Sequence, residues 1–223
     1  MVLSFRVLVL AGLVTLAGSA LAYDPSFHST TEPYDPFVSS VDPAAGRVFL
    51  GELTGFPDLY EIKRAEPFTL RLQLAQPARA GASVEPFSLL VVAVDPRGSV
   101  REVSRMPADA MSWERSFDHR LGFSLLESQP LTLDVGAGTY RIEVSAAEND
   151  GAYLLTLGDD PVSDHYFATL AHIRATQAFL GYSPLALLRS AYVLFPLGLL
   201  FLIGTGWWVW RIRRRERMQV RAG

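Results

Sequence analysis

Phe68-Thr69-Leu70-Arg71-Leu72-Gln73-Leu74 alternates strictly, with Phe68, Leu70, Leu72 and Leu74 on one side of an extended chain and Thr69, Arg71 and Gln73 on the other. Successive side chains of a strand point to opposite faces, so this period of two predicts a half-buried strand of an antiparallel sheet. Tyr140, Ile142 and Val144 repeat the pattern against Arg141 and Glu143. Outward from these two, short β-type runs occupy 47–53, 59–63, 89–95, 121–126, 131–135 and 152–157. Asp95-Pro96-Arg97-Gly98, Gly136-Ala137-Gly138 and Asn149-Asp150-Gly151 supply tight connections between them. Seven or eight short strands at this spacing predict a mainly β chain, an antiparallel sandwich or jelly roll over 46–160. Residues 101–120, with Met106, Met111 and Trp113 scattered among charges, read as a long loop that can hold a helical turn.

The order of the runs resembles a known family. Gly51-Glu52-Leu53, Asp58-Leu59-Tyr60-Glu61-Ile62, the strand from Phe68, the run Leu89 to Gly98, Gly138-Thr139-Tyr140-Arg141-Ile142-Glu143-Val144 and Gly151-Ala152-Tyr153-Leu154-Leu155-Thr156-Leu157 follow one another as in the bacterial pre-peptidase C-terminal domain. The resemblance covers about residues 46–158. It implies a small, non-catalytic β-sandwich of the kind appended to secreted enzymes and surface proteins, which aids binding, export or solubility, with calcium held by loop carboxylates in some members. No calcium motif carries over to this chain, and the module is expected to stand between a leader and an anchor rather than beside an enzyme.

Both ends of the chain carry targeting signals. Arg6 precedes an apolar stretch, Val7 to Leu16, that runs through small residues to Ala20-Leu21-Ala22, which predicts a signal peptide over 1–22. An uncleaved signal anchor is the alternative, and the apolar run is short for it. Near the other end, residues 191–210 are uncharged throughout and lead into Arg211-Ile212-Arg213-Arg214-Arg215. Twenty such residues at about 1.5 Å each span about 30 Å, the hydrocarbon core of a bilayer. Basic residues beside a short span stay in the cytoplasm, so 211–223 form an inside tail and 23–190 lie outside. Membrane-interface positions are assigned accordingly: Arg189 and Tyr192 at the outer boundary, Trp207, Trp208 and Trp210 at the inner one, and Arg211, Arg213, Arg214 and Arg215 just beyond.

Charge divides the same way. Residues 23–190 hold 22 Asp and Glu against 13 Lys and Arg, a balance of −9, whereas 211–223 hold six Arg and one Glu. An acidic exported part argues against nucleic acid as a partner, and the basic tail suits anionic inner-leaflet lipid. One lysine beside nineteen arginines suggests a GC-rich bacterial gene, which makes the compartment the outer face of a bacterial plasma membrane. The chain has no cysteine, so no disulfide framework supports the sandwich and an ordinary hydrophobic core must.

Two further segments flank the sandwich. Residues 23–45, with Pro25, Pro33, Pro36 and Pro43, read as an extended leader. After Gly158 the period changes: Tyr166, Leu170, Ile173, Gln177 and Leu180 recur at helical steps, which predicts an amphipathic helix over about 164–180, capped by Ser163 or Asp164 and ended by Gly181, within a juxtamembrane segment 161–183. Ser183-Pro184 is read as the cap and first residue of the membrane helix, 184–210. Its Pro196 and Gly198 can kink it, and Gly204 and Gly206 offer close-packing surfaces.

Catalytic chemistry finds little foothold. There is no cysteine, no serine in a Gly-x-Ser-x-Gly setting, and no glycine loop leading into a helix for a phosphate. His165 and His172 share a helix face about 10.5 Å apart, too far for one metal. His28 and His119 lack a second ligand at useful spacing, and Asp159-Asp160 and Glu148-Asn149-Asp150 read as solvated turns. No catalytic, cofactor or metal residue is assigned, and the chain is read as a non-enzyme. The expectation is a membrane-anchored binding or interaction module, with the bilayer as its first partner. The alternatives are an accessory subunit docking on a membrane protein through 164–210, and a metal-handling protein using His165 and His172.

Overall fold

The structure is a computed structural model that describes residues 25–28, 36–39, 45–79, 81, 83–158, 160–161 and 165–219. The signal peptide 1–22 and the cap residues Ser163 and Asp164 lie outside the described residues. Thirteen strands are described: β1 Pro25–His28, β2 Pro36–Ser39, β3 Ala45–Thr54, β4 Asp58–Arg64, β5 Phe68–Pro77, β6 Ser88–Val94, β7 Val100–Met106, β8 Trp113–Asp118, β9 Phe123–Ser128, β10 Leu131–Val135, β11 Gly138–Ser145, β12 Asp150–Leu157 and β13 Asp160–Pro161. Two helices follow, α1 Tyr166–Phe179 and α2 Ala191–Gln219, joined by a 3-10 turn Pro184–Arg189.

The strands form a β-sandwich. One sheet runs β1-β3-β12-β5-β9-β8, with β10 sharing the edge of β5 and β13 pairing β3; the other runs β2-β4-β11-β6-β7. Leu70, Leu72 and Leu74 of β5 are fully buried, as their alternation requires, and meet Tyr140, Ile142 and Val144 of β11 across the interior. Each such side chain contributes about 1.5–3 kcal/mol by leaving water. Tyr153 stands opposite Gly51 in the β12–β3 pairing, and a Cβ on Gly51 would collide with the Tyr153 ring. That glycine is what makes room for the ring.

The first sheet is buried on both faces. Tyr153, Leu155 and Leu157 of β12 face the opposite sheet, while Leu154 joins Leu50, Ala75, Leu121, Phe123 and Leu125 in a second cluster under α1. A strand covered on both sides reads as a continuous apolar run, as Tyr153-Leu154-Leu155 does. The apolar face of α1 is therefore packed on the sandwich, through Thr169, Ile173, Thr176, Gln177 and Leu180. This stripe is turned from the expected one: threonines at 169 and 176 take the inner places, and Tyr166 and Leu170 are half-buried. Small side chains let the helix come close enough for Gln177 Nε2 to donate to the Leu121 carbonyl at 2.7 Å. Gly181, at φ +73°, ends the helix with paired bonds from the Gly181 amide to Ala178 O and from the Tyr182 amide to Gln177 O.

Three expectations are corrected. Residues 101–120 hold the expected helical turn, at Ala108–Ala110, but are not a long loop: they carry β7 and β8, edge strands with no outer neighbour strand among the described residues to impose alternation. The leader enters the sandwich, β1 pairing parallel with β3 and β2 parallel with β4, so each sheet gains a strand from it. The long apolar helix, expected from Pro184, starts at Ala191. Residues 184–189 form a 3-10 turn, Ser183 makes no side-chain cap bond, and Ser190 is extended at ψ 138°, which stops helix from running through.

Candidate functional site

The most constructed part of the molecule outside the core is the root of α2. Asp118 at the end of β8 organises the turn into β9: its Oδ1 accepts from the Arg120 amide at 2.7 Å and the Leu121 amide at 3.1 Å, and its Oδ2 lies 3.0 Å from Arg120 Nη2. Gly122 closes the turn at φ +77°, its amide donating to Asp118 O at 2.7 Å. This turn grips the start of the helix. The Ala191 amide donates to His119 O at 2.8 Å, and the buried Ser190 hydroxyl donates to Arg120 O. A Cβ on Gly122 would lie 2.7 Å from the Ser190 nitrogen.

Two more contacts hold the same junction. Tyr182 stacks on Phe123 with ring centroids 4.1 Å apart, and the Arg79 guanidinium lies 5.9 Å from the Tyr182 ring while donating to Leu180 O at the end of α1. Tyr166, the first residue of α1, donates its hydroxyl to the Tyr192 carbonyl. Pro196 has no N–H to offer that carbonyl, four residues back in the helix, so the bond from α1 fills the gap.

The expected interface residues fall along this element. Arg189 ends the 3-10 turn and is exposed, and Tyr192 is half-buried against the second cluster. Trp207, Trp208 and Trp210 are exposed on α2, with Arg211 5.1 Å from the Trp207 ring. Arg213 is exposed; the side chains of Arg214 and Arg215 lie outside the described residues. The stretch Ala191–Arg213 is long and apolar enough to cross a membrane.

A buried polar network sits between the sheets. Asp58, Tyr60 and Ile62 share the inner face of β4. Tyr153 donates to Asp58 Oδ2 at 2.6 Å, which leaves Tyr60 to donate to the Tyr153 oxygen at 2.7 Å. His28 Nε2 lies 3.8 Å from Asp58 Oδ1, and the His28 ring packs 5.2 Å from both Phe37 and Tyr60. Burial pushes both tyrosine hydroxyls well above their ordinary range, with the neighbouring Asp58 charge adding to the effect. The network clamps the leader strands onto the sandwich. Its signal in the sequence is a carboxylate at a core-facing position of an alternating strand, Asp58 before Tyr60 and Ile62.

At the end of the sandwich away from the root, a groove of about 660 Å³ is lined by Lys63, Arg64, Asp95, Val100, Arg101 and Tyr140, among others. Asp95 is occupied with its own turn, Oδ1 accepting from the Arg97 and Ser99 amides. The pairings put Lys63 in line with Thr139, Val94 and Val100, and Arg101 in line with Ala93, Tyr140 and Ile62. The two rows point to opposite faces, so the groove saddles the sheet end with a cation on either rim. Among the described residues no group of three or more His, Cys, Asp or Glu is placed to hold a metal ion. His165 is exposed ahead of α1, and His172 lies along it half-buried.

No known family model matches the sequence, and no curated protein does. Among solved structures, the chain is similar to the pre-peptidase C-terminal domain of a collagenase from Bacillus anthracis, at 14% identity and a TM-score of 0.34, over 56% of this chain and 97% of that one. That is the family whose strand order the sequence resembles. A likeness this distant says nothing of ligand or activity.

Proposed function

We propose that the chain is a single-pass, non-catalytic binding module of a bacterial plasma membrane, its sandwich outside and its C-terminus in the cytoplasm. The observation that carries this reading is the gripped root of α2: a span joined to the sandwich through Ser190, Ala191, Tyr192 and the 118–122 turn is a mount, not a loose tether. A rigid mount has a use when the far end must be presented at a set height. There the groove with Lys63, Arg64 and Arg101 is a basic feature on an acidic ectodomain and favours an acidic ligand. Cleavage after Ala22 would leave two residues ahead of β1, enough to let it pair.

The accessory-subunit reading draws on the span, where Gly204 and Gly206 have open space beside them. A photo-reactive amino acid placed at Val100 or at Phe201 in the full chain, activated in the native membrane, separates the two. Adducts from Val100 are expected. Adducts from Phe201 to a membrane protein, with none from Val100, overturn the binding-module reading in favour of the subunit.

A further inference from the structure

The depth of the span is set from below. Arg211 follows the last uncharged residue, Trp210, and residues 191–210 at about 1.5 Å each reach about 30 Å upward, the thickness of the hydrocarbon core. The outer boundary then falls at Ala191. The 3-10 turn Pro184–Arg189 immediately before it lies at headgroup depth, yet it exposes Leu185 by 71% and Leu188 by 51%. Leu187, between them, packs inward against the second cluster.

A third apolar side chain stands at the same level. Tyr166 bonds to the Tyr192 carbonyl, and the two rings lie 6.2 Å apart, which ties the start of α1 to the first turn of the span. The next residue, Phe167, is 82% exposed. Val84 and Val100 are exposed as well, on the sandwich and far in sequence from α2, and scattered exposed apolar residues are ordinary on a protein surface. These three sit on segments tied to the start of α2 by the Ser190, Ala191 and Tyr166 hydrogen bonds, and Leu194 and Phe195 in its first turns are exposed as well. Arg189, exposed next to Leu188, is placed to meet lipid phosphates.

We propose that the underside of the ectodomain is itself a lipid-binding surface: Phe167, Leu185 and Leu188 insert into the interfacial layer of the outer leaflet, so that the sandwich is seated on the bilayer. This rests on the anchored reading above. Apolar side chains gain by leaving water for the acyl boundary, and a seated domain with a gripped helix has one orientation, with the groove facing away from the membrane.

The chain has no cysteine, so single labels can be placed at will. Full-length Phe167→Cys, Leu185→Cys and Leu188→Cys, each carrying a nitroxide, are reconstituted in phosphatidylethanolamine and phosphatidylglycerol vesicles, with Val100→Cys as the aqueous reference and Phe201→Cys as the hydrocarbon one. The ratio of collisions with oxygen to collisions with a water-soluble nickel chelate is expected to be several-fold higher at the three positions than at Val100→Cys. Ratios equal to that of Val100→Cys overturn the proposal, as does shielding from both reagents, which would mean a protein covers the surface. If Phe201→Cys is itself water-like, the anchored reading falls too; if it is lipid-like while the three are not, this inference alone falls.

Discussion

Tyr166 donates its hydroxyl to the carbonyl of Tyr192, the one carbonyl that Pro196 deprives of its helical donor. A helix-breaking residue in α2 is thus matched by a side chain from α1. Tyr166→Phe would remove the bond that α1 brings to that carbonyl and should destabilise the junction by about 1–2 kcal/mol. Pro196→Ala restores an amide at the right place, and in that background Tyr166→Phe should cost less than about 0.5 kcal/mol. A double-mutant cycle on thermal unfolding of the full chain in detergent reads the coupling; additive effects would show that the two residues are not linked.

Gly122 is required twice over, by its φ of +77° and by the 2.7 Å that would separate a Cβ from the Ser190 nitrogen. Gly122→Ala should destabilise by about 3 kcal/mol and expose the 182–190 segment to protease. Gly98→Ala is the control, since Gly98 has φ +84° and open space around it. It should lose only about 1 kcal/mol, the conformational part. Equal losses for the two would mean that the close approach at the root is unimportant.

In the buried network the two tyrosines are unequal. Tyr153 touches both Asp58 and Tyr60, whereas Tyr60 only donates to Tyr153. Tyr153→Phe removes two buried hydrogen bonds at once, the one to Asp58 and the one from Tyr60, and should cost about 3 kcal/mol; Tyr60→Phe removes only one and should cost about 1 kcal/mol. Urea denaturation of the two variants gives the order directly, and the reverse order would refute the donor assignment.

The same tyrosines set an alkaline limit. Burial, first of all, raises both folded values above the ordinary 10.0. Below that value both states are protonated and nothing is lost. Above it the unfolded chain releases these protons first, so stability falls with pH at up to about 1.4 kcal/mol per pH unit for each buried tyrosine. Urea midpoints from pH 8 to 11.5 should show a slope that Tyr60→Phe lowers by about one proton.

Legibility followed the solvent. β5 and β11 could be read because one face of each meets the core and the other does not, and Gly181 could be read as a helix end because its backbone must turn left-handed. β7 could not: Val100, Arg101 and Glu102 are all exposed and only Met106 is buried, so no alternation survives at the sheet edge. β1 and β2 were hidden by their prolines and by parallel pairing with strands 23 residues further on. The long apolar helix α2 was plain from composition, but its grip on the sandwich was not, because Ser190 meets Arg120 across 70 residues of sequence. Contacts of that range leave no local pattern. The groove was invisible for the same reason, since its rims come from four strands.

The leader gives the last test. Phe37 of β2 packs edge-on to Phe49 at 5.7 Å and to Tyr60 at 6.3 Å, and His28 of β1 covers Asp58. A chain beginning at Ala45 would lose both strands and open the Asp58–Tyr153–Tyr60 network to water on that side. The loss should be about 3 kcal/mol or more, from apolar surface re-exposed and a buried carboxylate stripped of its cover. Single-site Phe37→Ala should lose about 1–2 kcal/mol, in keeping with a half-buried ring. Urea denaturation of the full chain, the truncation and the point variant measures the series. A truncation as stable as the full chain would mean that 25–39 is a linker and that the sandwich closes its own edge.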